Sequence, residues 1–281
     1  MQTLSGTPFP ADDEGKVDEP ARRPARRKRP ASGSQEPDIV EALARGLSVL
    51  RCFDPQSKSL GNLELAHRTG LPKSTVSRIV QTLTALGYLR YHSDTGRYSP
   101  GYGVLALGFG LLASLEVRQL ARPIMEGLAK ETGAAVALGA FDGRAMTYLE
   151  AIHGSSALVL RLPVGYRVGP ESAMGRAYLA GLPASQRAAA LASFEIGNLE
   201  PALLAQAMQD FAETGCCFAI GEWQAGVNAV AAPFKALMGD EVFVISCGGP
   251  SGVLPEDRLR TDIAPLLRQV VHKLSPMLRP A

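Results

Sequence analysis

The stretch LELAHRTGLPKSTVSRIVQTLTALGYL, residues 63–89, constrains this chain more than any other. Asn62 is placed to cap a short helix over 63–69, and Gly70 supplies the left-handed residue that turns the chain after it. Pro72 suits the first turn of a following helix, where its missing N–H costs nothing. That helix, over 73–86, has an apolar stripe of Val76, Ile79, Val80, Leu83 and Leu86. Its other face shows Lys73, Ser74, Ser77, Arg78, Gln81 and Thr84. Two helices joined by a tight glycine turn, the second with a face of cations, short hydroxyls and an amide, form a helix-turn-helix. Arginine matches guanine and glutamine matches adenine, while hydroxyls take a base or a phosphate.

Flanking segments complete a small module. Ile39, Leu43, Leu47, Leu50 and Phe53 recur every three or four residues, the spacing of one helix face, and Asp54-Pro55 ends it. After the second helix of the pair, 88–91 and 97–99 are short aromatic strands around the polar turn Ser93-Asp94-Thr95-Gly96. Three helices and a hairpin make a winged helix-turn-helix. Candidate DNA contacts are Lys73, Ser74, Thr75, Ser77, Arg78 and Gln81, with Arg45 on the first helix and Arg97 in the wing. His92 and Arg97 either reach a phosphate or the minor groove or are solvated wing residues.

Charge divides the chain in the same way. Residues 1–37 balance to +1, 38–100 to +3 and 101–281 to −2, within a total of +2. The first segment is proline-rich, poor in large apolar residues and expected to be disordered. It contains ARRPARRKRP, either a solvated arm or a source of extra phosphate contacts. No secretory signal is visible. The longest apolar run, YGVLALGFGLLASL at 102–115, is shorter than the roughly 20 residues that span a bilayer. The chain reads as soluble and cytoplasmic, with no membrane partner. Four cysteines, none in a CxxC, and four scattered histidines predict neither a disulfide scaffold nor a metal site. The common nucleotide-binding and hydrolase signatures are absent, and no cofactor is expected.

The stretches EALARGLSVLRCF, the helix pair above and GRYSPGYGVLALG resemble the DNA-binding domain of the IclR family of bacterial transcriptional regulators. Over 101–117 the resemblance implies a linker helix that also joins two subunits. Burial inside one chain is the other reading of this run. A homodimer, or a dimer of dimers, would suit palindromic operator DNA.

Beyond 118 the pattern is a helix over 120–132, strands over 135–141 and 146–152 around Asp142-Gly143, and a strand over 157–162. Helices over 173–181, 183–193 and 201–214 follow, then strands near 217–220, 227–233 and 242–248 and one long helix over 255–278. This is an α+β domain with an antiparallel sheet. ARPIMEGLAKETGAAVALGAFDGRAMTYLEAI, SAMGRAYLA and GEWQAGVNAVAAPF with VFVISCGGP resemble the same family's effector-binding domain, related to GAF and profilin-like sensors. The expected architecture is therefore an N-terminal winged helix-turn-helix plus a C-terminal α+β effector-binding domain, with boundaries at 37, 100 and 117.

In SAMGRAYLA, Ser172 can cap a helix whose first N–H groups favour an anion such as a carboxylate. The resemblance gives Ser172, Ala173, Met174 and Gly175 the role of lining the effector pocket, and places Glu222, Asn228 and Ser246 beside it. Met146, Tyr148, Met174 and Trp223 are candidates for apolar walls or for ordinary core. The acidic residues that many relatives carry before Glu222 are replaced by Ala219-Ile220-Gly221, and Arg176 stands where a lysine is usual. A less acidic pocket favours an aromatic or acyl acid. The expected function is a non-catalytic regulator of double-stranded DNA controlled by a small carboxylic acid. The alternatives are an enzyme with an accessory winged helix and a DNA- or partner-binding protein whose back domain only oligomerises.

Overall fold

The computed structural model describes residues 39–54, 57–154, 161–235 and 240–278. The basic run ARRPARRKRP lies outside them.

The front module contains α1 (Glu41–Leu50), α2 (Asn62–Thr69), α3 (Lys73–Ala85) and the hairpin of β1 (Leu89–His92) and β2 (Arg97–Pro100). Its small core gathers Val49, Leu60, Leu65, Val76, Val80 and Leu89. Gly70 takes the expected left-handed conformation, φ +68°. The cap of α2 is one residue earlier than expected. Gly61 occupies it, and Glu64 Oε2 accepts the Gly61 N–H at 2.8 Å. Asn62 is thereby released to donate from Nδ2 to Ser77 Oγ at 2.9 Å, tying α2 to α3.

Only the end of the apolar face expected of α1 meets this core, through Leu50 and Phe53. Ile39 is 65% exposed and Leu43 63%, whereas Val49 is sealed. Leu86, expected in the stripe of α3, is exposed as well. Periodicity located an apolar face correctly but does not state what covers it.

Helix α4 (Tyr102–Ser114) continues the wing. Gly101 and Gly103 donate to Tyr88 O at 2.8 Å and Gly87 O at 3.1 Å. A Cβ on Gly101 would lie 2.2 Å from Gly87 O, so only glycine permits this approach. No residue of α4 is buried, and Leu105, Leu107, Phe109 and Leu111 are all exposed. α4 meets α5 (Glu116–Thr132) at 75°. No single helix among the described residues is long and apolar enough to cross a membrane.

The back half is a six-stranded sheet of β3 (Ala135–Phe141), β4 (Met146–Ile152), β5 (Arg167–Val168), β6 (Cys217–Ile220), β7 (Val227–Phe234) and β8 (Phe243–Pro250). All pairings are antiparallel, in the order β5-β4-β3-β8-β7-β6. Most of the strand expected over 157–162 lies outside the described residues. Of it only 161–162 are described, they are irregular, and β5 comes later. Against one face pack α5 and α10 (Ala264–Leu274), around Met125, Leu138, Phe218, Ile245 and Leu267. Against the other pack α6 (Ala173–Gly181) and α8 (Pro201–Thr214), around Met146, Met174, Leu179, Ala207 and Ala231. α7 (Ala184–Ser193) follows α6. The long C-terminal helix expected over 255–278 is broken into α9 (Glu256–Arg258), a π-turn (Leu259–Ile263), α10 and a 3-10 turn (Ser275–Met277).

Candidate nucleic-acid interface and effector pocket

The outer face of α3 presents Lys73, Ser74, Arg78 and Gln81 to solvent, with Thr75 half-buried. This follows from the helix period, because Val76 and Val80 occupy the opposite, buried side. Arg45 pairs with Glu41 one turn back on α1. It lines the same surface groove as Thr75 and Arg78.

Two expected DNA contacts are engaged elsewhere. Ser77 is half-buried and accepts the Asn62 amide. Arg97 donates from Nη2 to Ser59 O at 2.7 Å, from Nε to Ser59 Oγ at 3.2 Å, and pairs with Glu64 at 2.8 Å. It is a brace between wing and α2. The Gly61 N–H and Arg97 hold the Glu64 carboxyl below its usual pKa. His92 closes the hairpin through Nε2 and Ser99 Oγ, 2.8 Å apart.

In the back half a pocket opens between the sheet and the N-terminus of α6. Ser172, Ala173, Met174 and Ser246, all anticipated, line it, as do Tyr148 and Trp223. The Ser172 hydroxyl is fully committed: it donates to Gly169 O at 2.7 Å and accepts from Gly175 N at 3.0 Å. The N–H groups of Ala173 and Met174 precede the first intrahelical acceptor of α6 and have no carbonyl partner within it. The sheet beneath is a floor of small residues, including Ala135, Ala137, Ala229 and Gly248. Tyr148 contacts Ser246 through their hydroxyls; burial pushes the phenol well above its ordinary pKa, the nearby Tyr166 adds to this, and the Ser246 bond opposes it. Among the described residues no lysine or arginine lines the pocket.

Four anticipated residues do not line it. Met146 is sealed in the core beside α6. Gly175 packs against the backbone, where a Cβ would meet Gly169 O at 2.4 Å. Asn228 donates from Nδ2 to Leu254 O at 2.9 Å on the opposite face of the sheet. Its neighbours Val227 and Ala229 line the pocket, so strand alternation sends Asn228 away. Glu222 accepts the Ile220 N–H and faces Arg176. His153, Leu162 and Val168 line the pocket without having been anticipated. His153 follows β4 directly, and continuing the strand past Ile152 is the signal that would have found it.

A winged helix-turn-helix with free cationic and hydroxyl groups on its recognition helix, carried beside a sheet domain with an apolar pocket, defines a DNA-binding transcriptional regulator. Comparison with known proteins agrees. Residues 109–276 match the bacterial transcriptional regulator IclR C-terminal family, and residues 42–93 match the IclR helix-turn-helix domain. The chain belongs to the IclR family. It is 30% identical over 253 residues to the HTH-type transcriptional regulator TsaQ1/TsaQ2 of Comamonas testosteroni, covering 86% of this chain and 90% of that one. The crystal structure of an IclR family transcriptional regulator from Brucella abortus superposes with a TM-score of 0.77 at 42% identity, covering 86% of this chain and 94% of that one. An IclR homolog complexed with 4-hydroxybenzoate, from Microbacterium hydrocarbonoxydans, shares the fold with a TM-score of 0.64 at 21% identity, covering 83% and 95%.

Proposed function

We propose that this regulator binds operator DNA as a homodimer and that a planar aromatic monocarboxylate in the α6 pocket sets its DNA affinity. The pocket's composition carries the reading. A flat floor of alanine and glycine under Trp223, Tyr148 and Met174 suits a ring. The free N–H groups at the start of α6 suit one carboxylate. The absence of lysine and arginine from the described lining argues against a second carboxylate. The Tyr148–Ser246 pair suits a ring hydroxyl.

On the DNA side the reading uses Lys73, Ser74, Thr75, Arg78 and Gln81 of α3 with Arg45 of α1, and omits Ser77 and Arg97. The exposed apolar faces of α1 and α4 are assigned to a second copy of the chain, since Leu43, Leu107 and Phe109 have no cover among the described residues of one copy. Two recognition helices would then read half-sites one helical turn, or a multiple of it, apart.

Calorimetric titration with 4-hydroxybenzoate, benzoate, cyclohexanecarboxylate and pyruvate tests the pocket. The aromatic acids should bind saturably, and 4-hydroxybenzoate should lose its advantage over benzoate in Y148F/S246A. Tighter binding of pyruvate, or of none of the four, refutes the ligand class. Recovery of a few discrete genomic fragments at roughly physiological salt tests the DNA reading. Sedimentation velocity tests the dimer.

A further inference from the structure

The turn between β6 and β7 carries the only tryptophan of the chain. It is framed by Gly221 and Gly226, at φ +83° and +77°. Gly221 donates to Val227 O, and Val227 to Gln224 O, each at 3.0 Å. Trp223, in the middle of this turn, lines the pocket beside Ala219 and Val227. These backbone bonds close the turn on itself. They do not dock it to the layer of helices across the pocket.

Glu222 makes that connection. Its carboxylate accepts the Ile220 N–H at the root of the turn. The same oxygen lies 3.7 Å from Arg176 Nη2. Arg176 sits on α6 one turn beyond the pocket-lining Ala173, and is only 2% exposed. Its Nη1 donates to Phe218 O at 2.8 Å, while Nε and Nη2 have no hydrogen-bond acceptor among the described residues. Burial lowers the pKa of this guanidinium, and Glu222 is the foremost charge acting against that. A buried cation short of acceptors is costly, so it holds the carboxylate that reaches it.

We propose that Glu222 is a positioning residue of the pocket: through Arg176 it fastens the β6–β7 turn to α6 and so fixes Trp223 as the pocket wall, without touching the ligand. Ligand contacts at the start of α6 and the tryptophan wall then hang on the same helix, and the width of the slot between them depends on this ion pair. The inference takes its meaning from the pocket reading above, but its test needs neither ligand nor DNA.

Selective excitation of tryptophan reads Trp223 alone. E222Q keeps an acceptor for the Ile220 N–H and removes only the charge facing Arg176. R176K keeps a cation on that turn of α6. In the full ligand-free chain, E222Q should red-shift the emission and raise the acrylamide quenching constant about two- to fivefold, the population change that loss of one partly exposed ion pair gives. Far-UV circular dichroism at about 25 °C should stay unchanged, Tm should fall because Arg176 loses its charge partner, and R176K should keep emission close to wild type. Wild-type emission and quenching in E222Q overturn the proposal. So does an emission change that comes with a loss of far-UV circular dichroism at the measuring temperature or occurs equally in R176K, because either reports general loosening. Failure of the acid titrations would refute the ligand class and leave this readout intact.

Discussion

The Glu150 carboxylate, 4% exposed, receives Arg118 Nη2 at 3.0 Å on the α5 side of the sheet. Tyr148, two residues earlier on the same strand, lines the pocket on the other side. A regular strand would place residues two apart on one face. The register explains the exception: Leu138 pairs with Glu150 but Gly139 pairs with Tyr148, leaving Leu149 as an extra residue. This bulge lets one strand serve pocket and linker-side helix together. Arg122 Nη1 joins the same carboxylate oxygen at 2.9 Å.

Replacing Glu150 with alanine strands Arg118, whose Nε already lacks an acceptor among the described residues. E150A should cost about 2–3 kcal/mol in urea unfolding, below the figure for a fully buried pair because both guanidinium groups keep water on one side. A loss indistinguishable from that of an ordinary surface substitution would show that the cluster is not structural.

Arg78 and Arg97 should separate cleanly. R78A is expected to weaken operator binding by about 1–3 kcal/mol per half-site and to relax preference at one base pair, with Tm unchanged. R97A should instead lower the stability of the wing and weaken binding evenly across sequences. Quantitative titrations with operator and single-base variants, paired with thermal melts, decide this. Unaltered discrimination in R78A would remove Arg78 from base reading.

The cysteines should sort by burial. Burial pushes the Cys216 and Cys247 thiols up to about 12, and raises Cys217 beyond them. The thiolate is the reactive form, so these three should resist alkylation in the folded protein at neutral pH. Half-buried Cys52, raised less far, should react first. Mass spectrometry after brief iodoacetamide treatment, with and without denaturant, counts the modified sites. Native labelling of Cys247 would contradict the sealed core.

Asp142, at the β3–β4 corner, gives a pH-dependent contribution. Burial pulls its pKa upward, but the Ala145 N–H, Arg167 and the Arg144 N–H together hold it below the usual value. A carboxyl depressed in the folded state stabilises above its unfolded pKa, about 3.9, and that contribution is lost as pH falls through the folded value. D142A should therefore unfold about 1–2 kcal/mol more easily at pH 7, with the gap closing in acid. A pH-independent gap would assign the effect to backbone geometry instead.

The winged helix was legible because its signals are local. Gly70 and the valine pair of α3 act within a few residues of themselves, and the structure sets them where the pattern does. In the back half the β3–β4 hairpin and the starts of α6 and α8 were legible for the same reason. Short-range spacing also brought out Ser172 as a cap, while the family resemblance put it and its neighbours at the pocket.

Other features needed chain segments far apart in sequence. Asn228 and Glu222 sit in the right stretch for a pocket, yet their direction follows from sheet alternation and from the Arg176 guanidinium, 46 residues before Glu222. The bulge at Leu149 is set by pairing with β3 and is invisible to a count along one strand. Arg97 reads as a free cation until Ser59 and Glu64 close around it. The sequence by itself determined most of the helix and strand segments, though not β5 or the breaks after Pro255, and where the apolar faces lie, since dihedral preference and side-chain period are properties of neighbours. Tertiary structure decided which face meets the core, which meets the pocket and which is left uncovered, because those depend on what packs opposite.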